Sequence, residues 1–503
     1  MLFNSPIFIF LFLPITVLIY FLINRMGNSQ VSKIWLVLAS LFFYGYWNPM
    51  YLVLIVASMV VNYSVGARLL KEESELDIKL NTSSRKPLLI LGVSFNLGLL
   101  AYFKYADFFI DNVNYVLSTD TPLLNLVLPL AISFFTFQQI AFIVDCYRND
   151  AKEYSFLNYA LFVTFFPQLI AGPIVHHKQM MPQFMSTENS RVNWNNITVG
   201  LFIFSIGLFK KVVIADTLGE WVALGYADTS QLSFFEAWGA TLSYTFQLYY
   251  DFSGYTDMAI GAALLFNIHL PINFNSPYKS LSIQEFWRRW HITLSNWLRD
   301  YVYIPLGGNR LGSFRTYQNL MLTFLAGGLW HGAGWTFLIW GGLHGLALAI
   351  HRYWSQFNIK LPRLLSWSIT FLFVHFTWVF FRSESYPDAL NMLSALFNVE
   401  SIGITEKFRH FLSYLSPVLI PPIETLKHEM IYGFFTLETI IVFAIAAFIL
   451  PNSIQISNLM PGEGRTRFRH NVFYVLLMTA MTFVSFSTFL GHTSHSEFLY
   501  FNF

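Results

Sequence analysis

The chain has 503 residues, of which 55% are hydrophobic and 12% are charged, and its mean hydropathy is +0.49. This composition leaves too little polar surface to cover a water-soluble globule of that size. The formal net charge of +2 argues against a nucleic-acid-binding protein, and a single cysteine, Cys146, excludes an intrachain disulfide framework and a cysteine-based zinc site. We therefore expect an all-α polytopic membrane protein without a structural metal.

Apolar runs of spanning length begin near the N-terminus. The run at 6–23 has no basic residue before it and no cleavage site after it, so we interpret it as an uncleaved span. Asn48-Pro49 separates the runs at 34–47 and 51–66 and predicts a broken hairpin there. Runs at 88–105 and 123–144 follow. The gaps after the runs at 6–23, 51–66 and 123–144 contain basic residues, whereas the gap after 88–105 contains aspartates and no basic residue. By the positive-inside bias, this pattern places the N-terminus outside.

The later runs have weaker boundaries. Residues 156–174 end at Gly172-Pro173, which suggests partial insertion. The remaining apolar runs lie at 197–215, 234–270, 320–350, 364–381, 434–450 and 472–490. The run at 234–270 is long enough for a helical hairpin. Together the runs predict roughly 11 to 13 spanning or re-entrant helices at about 20 residues each, in a single domain over 1–503.

The last loop sets the predicted position of the C-terminus. Four basic residues precede the final apolar run, namely Arg465, Arg467, Arg469 and His470. By the positive-inside bias this loop lies inside, so the C-terminal segment HSEFLYFNF lies outside.

The segment 280–301 contains His291 and predicts one helix. Residues 282–285 fit a capping box, and the apolar residues that follow cluster on one face. His291 falls at the edge of that face, and Pro305 ends the pattern. We therefore expect an interfacial helix on the cytoplasmic side rather than a crossing.

Three arginines of this segment are candidate donor-binding residues. Arg288, Arg289 and Arg299 could hold the phosphates of a cytoplasmic donor, because guanidinium groups bind phosphate in a bidentate manner. An interfacial helix whose arginines contact lipid headgroups fits the same pattern.

The run at 320–350 contains His331 among seven glycines. Pairs of glycines four residues apart let helices approach closely, and Gly332 with Gly334 predicts a helix break within the membrane. An ionisable residue at membrane depth marks a functional-site hypothesis, and a neutral imidazole suits a general base. A histidine satisfied by neighbouring helices is the alternative. His344 would face nearly the opposite side of a continuous helix, so we interpret it as structural.

A polar cluster lies in the run at 234–270. Asp251 and Asp257 require hydrogen-bond partners, because uncompensated carboxylates in an apolar environment are costly. They could orient a catalytic histidine or carry protons; equally, they could form a polar network that holds helices in register. Gln138, in an earlier apolar run, admits the same two interpretations.

Three motifs together resemble the membrane-bound O-acyltransferase family, in particular its bacterial branch related to alginate O-acetyltransferase. They read FQLYYDFSGYTDMAIGAALLFNIHLPINFNSPY, FWRRWHITLSNWLRDYVYIPLGGNR and LAGGLWHGAGWTFLIWGGLHG, within a motif-bearing core at about 125–381. The resemblance implies a compact multi-helix fold with a central channel. It also implies that His331 is the essential catalytic histidine and that His291 is the second, cytoplasm-side motif histidine.

The resemblance further implies a short-acyl transfer across a bacterial inner membrane. Its expected donor is acetyl-CoA or another acyl thioester, with no tightly bound cofactor. Its expected acceptor is an envelope polysaccharide, reached through an extracytoplasmic acetyltransferase partner. D-alanyl transfer to teichoic acid is an alternative within the family, and a transporter or flippase for a lipid-linked sugar is an alternative from another class, although internal repeats are lacking.

The two histidine segments differ in pattern. One is basic and interfacial, whereas the other is glycine-packed and intramembrane. We therefore expect two separate sites, with proton removal at His331 and an assisting or donor-positioning role for His291.

Overall fold

The computed structural model describes residues 1–74, 82–151, 155–170, 172–230, 232–402, 436–457, 459, 471–491 and 498–499. Within these ranges the chain forms helices, turns and extended connections and no strand, so the predicted all-α class is confirmed. The basic loop at 465–470 and most of the C-terminal segment lie outside the described residues.

The N-terminal third contains six α-helices. They are α1 (Leu13–Arg25), α2 (Ser29–Gly45), α3 (Met50–Ser74), α4 (Thr82–Leu100), α5 (Ala106–Leu117) and α6 (Ile132–Tyr147). A π-helical turn at Phe8–Phe12 precedes α1, and another at Ala101–Tyr105 joins α4 to α5. The break predicted at Asn48-Pro49 is confirmed, because α2 ends before it and α3 begins after it.

The fifth predicted run begins too early. Residues 119–129 form no helix, and α6 starts only at Ile132. Pro122 and Pro129 lack the N–H that a helix needs, and Ala131 has a φ of 60°, which is incompatible with a continuing right-handed helix.

The middle third contains six more α-helices. They are α7 (Phe156–Thr164), α8 (Phe166–Leu169), α9 (His177–Met185), α10 (Trp194–Phe209), α11 (Asp216–Ala227) and α12 (Phe234–Leu264). A π-helical turn at Lys210–Ala215 joins α10 to α11. The run at 156–174 is divided between α7 and α8.

Helix α12 is one continuous helix of 31 residues, so the expected hairpin at 234–270 is wrong. A capping box between Ser233 and Glu236 begins it, and no proline interrupts it. Two of its glycines, Gly254 and Gly261, face the backbone of α10. A Cβ at Gly254 would lie 2.8 Å from the carbonyl oxygen of Gly207. Most α12 side chains beyond residue 240 are buried, which makes this helix the centre of the fold.

The C-terminal part supplies the remaining described helices. They are α13 (Ile283–Trp287), α14 (Ile292–Leu298), α15 (Ser313–His331), α16 (Trp335–Trp354), α17 (Arg363–Arg382), α18 (Tyr386–Phe397), α19 (Thr436–Ile449), α20 (Ser453–Ser457) and α21 (Val472–Gly491). The break predicted at Gly332 and Gly334 is confirmed, because it separates α15 from α16. Close packing of these two helices is also confirmed: a Cβ at Gly328 would lie 2.3 Å from the carbonyl oxygen of Phe337.

Within the described residues, six helices or helix pairs are long and apolar enough to cross a membrane. They are 8–25, 50–70, 85–117, 194–227, 363–382 and 472–490. The chain is therefore a multi-pass membrane protein. The sequence-based number of 11 to 13 also counted shorter apolar and re-entrant helices, such as α6 and α7.

Candidate active site

His291 lies at a break between two short helices, so the expected continuous helix over 280–301 is wrong. Helix α13 ends at Trp287, α14 begins at Ile292, and His291 has the left-handed φ of 41° and ψ of 53°. Tertiary hydrogen bonds replace the helical ones here. The amide of Ile292 donates to the carbonyl of Asn273 at 3.0 Å, and the amide of Asn275 donates to the carbonyl of Arg289 at 2.9 Å.

The His291 side chain is fully buried rather than at an interface. Its Nδ1 atom lies 3.1 Å from Oδ1 of Asn273. That oxygen also accepts bonds from the backbone amide and the hydroxyl of Thr293, at 3.3 and 2.9 Å, which identifies it as the acceptor. Nδ1 of His291 therefore carries a proton, and in the neutral ring Nε2 is the basic nitrogen.

His331 is the last residue of α15, and its side chain is buried in an aromatic cage. The ring centroids of Trp330, Trp340 and Phe381 lie 4.9, 5.1 and 5.1 Å from the His331 ring. These rings pack against the imidazole and exclude water from most of its surface.

The two histidines form one cluster, so the expectation of two separate sites is wrong. Their ring centroids are 6.3 Å apart, and the Trp330 ring lies against both, 5.9 Å from His291 and 4.9 Å from His331. The interruption between α13 and α14 turns the His291 ring toward the C-terminal end of α15. Periodicity could not reveal this contact, because it depends on tertiary pairing of residues 289–292 with 273–275.

Two buried imidazoles at this spacing can accept a proton from a bound hydroxyl and return a proton to a thiolate. In an apolar site that excludes water, fixed hydrogen-bonding groups act more strongly than they do in solution. The cluster consisting of His291, His331 and Trp330 is therefore the candidate active site.

A stacked aromatic column leads away from the cluster. Trp297 lies face to face with Phe137, with ring centroids 3.6 Å apart, and Phe137 also stacks on Trp330 at 5.3 Å. At its far end, Trp297 meets Tyr301 at 5.3 Å, and the Tyr301 hydroxyl donates to Asp145 at 3.0 Å. The column connects the histidines to the face where α6 and α14 end.

The three candidate donor arginines do not converge on the histidines. Arg288 is exposed. Arg289 pairs with Glu285 at 2.9 Å and donates to the carbonyl of Asn275 at 3.2 Å, and Arg299 makes a two-pronged pair with Asp300. Arg288 and Arg299 are both exposed, but among the described residues Arg288 is the one of the three arginines without an ion pair, which leaves it available for a phosphate.

Asp251 and Asp257 have the partners that the sequence required, and those partners are lysines that sequence reasoning missed. Lys210 pairs with Asp257 at 2.7 Å, and Lys211 pairs with Asp251 at 2.7 Å. Lys211 also pairs with Asp216 at 2.7 Å. These ion pairs join the π-helical turn after α10 to the centre of α12. Two adjacent lysines inside the apolar run at 197–215 were the available signal.

The other predicted polar residues lie near the cluster without belonging to it. Gln138 is buried in α6, next to Phe137 of the aromatic column. Among the described residues, its Oε1 atom accepts no hydrogen bond. His344 is held on both sides, with Trp287 donating to its Nδ1 at 3.2 Å and the Thr377 hydroxyl 3.0 Å from its Nε2.

Two further residues next to the histidines were missed. Asn273 lies in a non-helical part of the first motif, where it was not singled out, and its contact with His291 identifies it. Lys104 donates to the carbonyl oxygens of Trp330 and His331 at 2.6 and 3.2 Å. A single cation within the apolar run at 88–105 could have drawn attention to it.

Comparisons with known proteins identify the family of this chain. The membrane-bound O-acyltransferase (MBOAT) family matches residues 146–383, a range that holds both histidines. The chain is 45% identical to a peptidoglycan O-acetyltransferase of Helicobacter pylori, over 100% of this chain and 98% of the relative. It is 42% identical to a probable alginate O-acetylase AlgI of Pseudomonas aeruginosa, over 81% of this chain and 76% of the relative.

A third relative is more distant. A teichoic acid D-alanyltransferase of Streptococcus thermophilus is 31% identical over 45% of this chain and 57% of the relative. All three relatives are named as transferases of acyl groups, which favours an enzyme over a transporter. The chain belongs to the membrane-bound O-acyltransferase family and is a multi-pass membrane O-acyltransferase.

Proposed function

We propose that this chain moves an acetyl group from a cytoplasmic thioester, acetyl-CoA, across a bacterial inner membrane for O-acetylation of an envelope polysaccharide. The observation that carries the proposal is the buried pair of His291 and His331, with ring centroids 6.3 Å apart. The full-length similarity to a peptidoglycan O-acetyltransferase supports acetyl over D-alanyl, since the D-alanyltransferase match covers 45% of the chain.

In the proposed reaction, His331 acts as the general base. Its imidazole accepts the proton of an acceptor hydroxyl, and the hydroxyl oxygen attacks the carbonyl carbon of the thioester. The carbon–sulfur bond breaks, the thiolate leaves, and His291 assists the return of the proton to the sulfur. The products are an O-acetyl ester and the free thiol of CoA, so atoms and charge balance.

The donor approaches from the cytoplasm, where exposed Arg288 is the first candidate to meet its phosphates. The acetyl group then passes beside the aromatic column of Tyr301, Trp297 and Phe137 to the histidines. An extracytoplasmic acetyltransferase partner accepts it and passes it to the polysaccharide. Both termini lie outside in this orientation.

The test replaces the chromosomal copy in the natural host with His331→Ala or His269→Ala. His269 is an exposed residue of the connection after α12, and it serves as a matched control. We expect alkali-labile acetate in the envelope to disappear in His331→Ala and to persist in His269→Ala, with both proteins at normal membrane levels. Persistence of the acetate in His331→Ala would refute the proposed role of His331.

The donor is tested in membrane vesicles from the same cells. Acetyl-CoA labelled in its acetyl group should transfer label to an alkali-labile ester in wild-type vesicles and not in His331→Ala vesicles. Ester formation that requires a D-alanyl carrier protein and ignores acetyl-CoA would contradict the acetyl assignment and favour D-alanyl transfer.

A further inference from the structure

Lys104 lies on the π-helical turn Ala101–Tyr105, directly beside the end of α15. Its Nζ atom donates to the carbonyl oxygen of Trp330 at 2.6 Å and to that of His331 at 3.2 Å. It also lies 3.4 Å from the hydroxyl of Ser133 and 5.9 Å from the centroid of the Trp330 ring. The ammonium group therefore contacts the backbone of the proposed general base.

Tyr105, the next residue, also binds the C-terminal end of α15. Its hydroxyl donates to the carbonyl oxygen of Leu329 at 2.8 Å. A π-helical turn is wider than an α-helical one and is common at functional sites. Here it lets two consecutive side chains reach the same helix end.

These bonds account for every carbonyl that α15 leaves without a helical donor. The last four carbonyls of an α-helix lack intrahelical partners. The amide of Gly332 donates to the carbonyl of Gly328 at 3.3 Å. The side chains of Tyr105 and Lys104 donate to the remaining three carbonyls, at residues 329, 330 and 331. The end of α15 is thus held by side chains from another part of the chain.

A cation suits this place for a physical reason. The C-terminal end of a helix carries a partial negative charge, which is weakly screened where water is excluded. A lysine provides both a compensating charge and several donors, so one side chain can hold two carbonyls. A neutral apolar side chain of similar length would leave these two carbonyl oxygens without their hydrogen-bond donor.

We propose that Lys104, supported by Tyr105, is a positioning residue for acyl transfer that fixes the His331 imidazole against His291. This inference rests on the proposed catalytic role of His331. A helix end that shifts by about 1 Å would displace the base from the reacting hydroxyl, and displacements of that size cost roughly 10²-fold in turnover. Binding of the donor depends on other residues and should change little.

The test compares Lys104→Met, Lys104→Arg and Tyr105→Phe in membrane vesicles supplied with labelled acetyl-CoA. Lys104→Met should lower kcat by roughly 10²-fold, with the KM for acetyl-CoA within about twofold of wild type. Lys104→Arg keeps the charge and several donors, so it should recover at least about tenfold of that loss. Tyr105→Phe loses one hydrogen bond and should lower kcat by a few fold at an unchanged unfolding temperature.

The outcomes separate positioning from simple stability. Wild-type kcat in folded Lys104→Met, or a Lys104→Arg variant as inactive as Lys104→Met, would overturn the inference. If Lys104→Met does not fold, Tyr105→Phe decides, and its wild-type kcat would overturn the inference as well. Full activity of His331→Ala would instead refute the proposed function, so the two failures remain distinguishable.

Discussion

Oδ1 of Asn273 accepts a hydrogen bond from Nδ1 of His291 at 3.1 Å, and this bond fixes which nitrogen of the ring is basic. Two additional bonds from Thr293 hold the oxygen in place. Asn273 thus does for His291 what a carboxylate does for the histidine of a catalytic triad, but without a charge.

Removing this acceptor should weaken catalysis. Asn273→Ala frees the His291 ring to rotate and to change tautomer, so we expect kcat to fall by about 10²-fold. Asn273→Asp keeps an acceptor oxygen and should retain more activity than Asn273→Ala. The measurement is the kcat for labelled acetyl transfer in vesicles, and equal activity of Asn273→Ala and wild type would contradict the role of Asn273.

A side chain added where α15 and α16 pack most closely should destabilise the protein. A Cβ at Gly341 would lie 2.3 Å from the backbone oxygen of Phe324, so Gly341→Ala should cost about 1 to 3 kcal/mol of unfolding free energy through overpacking. At Gly239, in α12, a Cβ would meet no atom within 4 Å, so Gly239→Ala should be neutral or stabilising by up to about 1 kcal/mol. Equal stability of the two variants in detergent unfolding would argue against this packing.

Local features of the chain were predictable where local chemistry decides them. Asn48-Pro49 ends a helix because proline cannot donate a backbone hydrogen bond. Gly332, between α15 and α16, lies where a Cβ would be 2.1 Å from the Phe337 ring. The motif histidines stood out because an ionisable residue in an apolar run requires an explanation.

The assembly of the site was not predictable in this way. The left-handed backbone of His291 results from pairing with residues 273–275, which are distant in the sequence and carry no periodic signal. The packing of α12 likewise involves a distant part of the chain, because the backbone of α10 occupies the space that a side chain at residue 254 would need. Periodicity therefore could not show that His291 and His331 meet.

The buried lysine network should matter more for stability than an exposed ion pair. Lys211→Met leaves Asp251 and Asp216 without their shared cation, and breaking a buried pair in this way costs about 3 to 5 kcal/mol. Lys178 pairs with Asp150 at 3.3 Å with both side chains about half exposed, so Lys178→Met should cost at most about 1 kcal/mol. Detergent unfolding curves measure both, and a Lys211→Met loss no larger than that of Lys178→Met would contradict a stabilising network.

The arginines near His291 should differ in their effect on donor binding. Arg288 is exposed, whereas Arg289 is engaged with Glu285. If Arg288 meets the phosphates of acetyl-CoA, Arg288→Gln should raise the KM for acetyl-CoA several-fold at low salt and leave kcat unchanged. Arg289→Gln should change KM less. A larger KM effect from Arg289→Gln would move the proposed phosphate contact to Arg289.

The most direct test of a single two-histidine site is a double-mutant cycle on His291→Ala and His331→Ala. Residues that act as a unit lose activity non-additively, whereas independent residues lose it multiplicatively. With single-turnover transfer from labelled acetyl-CoA as the measurement, the double variant should be within about threefold of His331→Ala alone. Losses that multiply in the double variant would mean that His291 and His331 act independently and do not form one site.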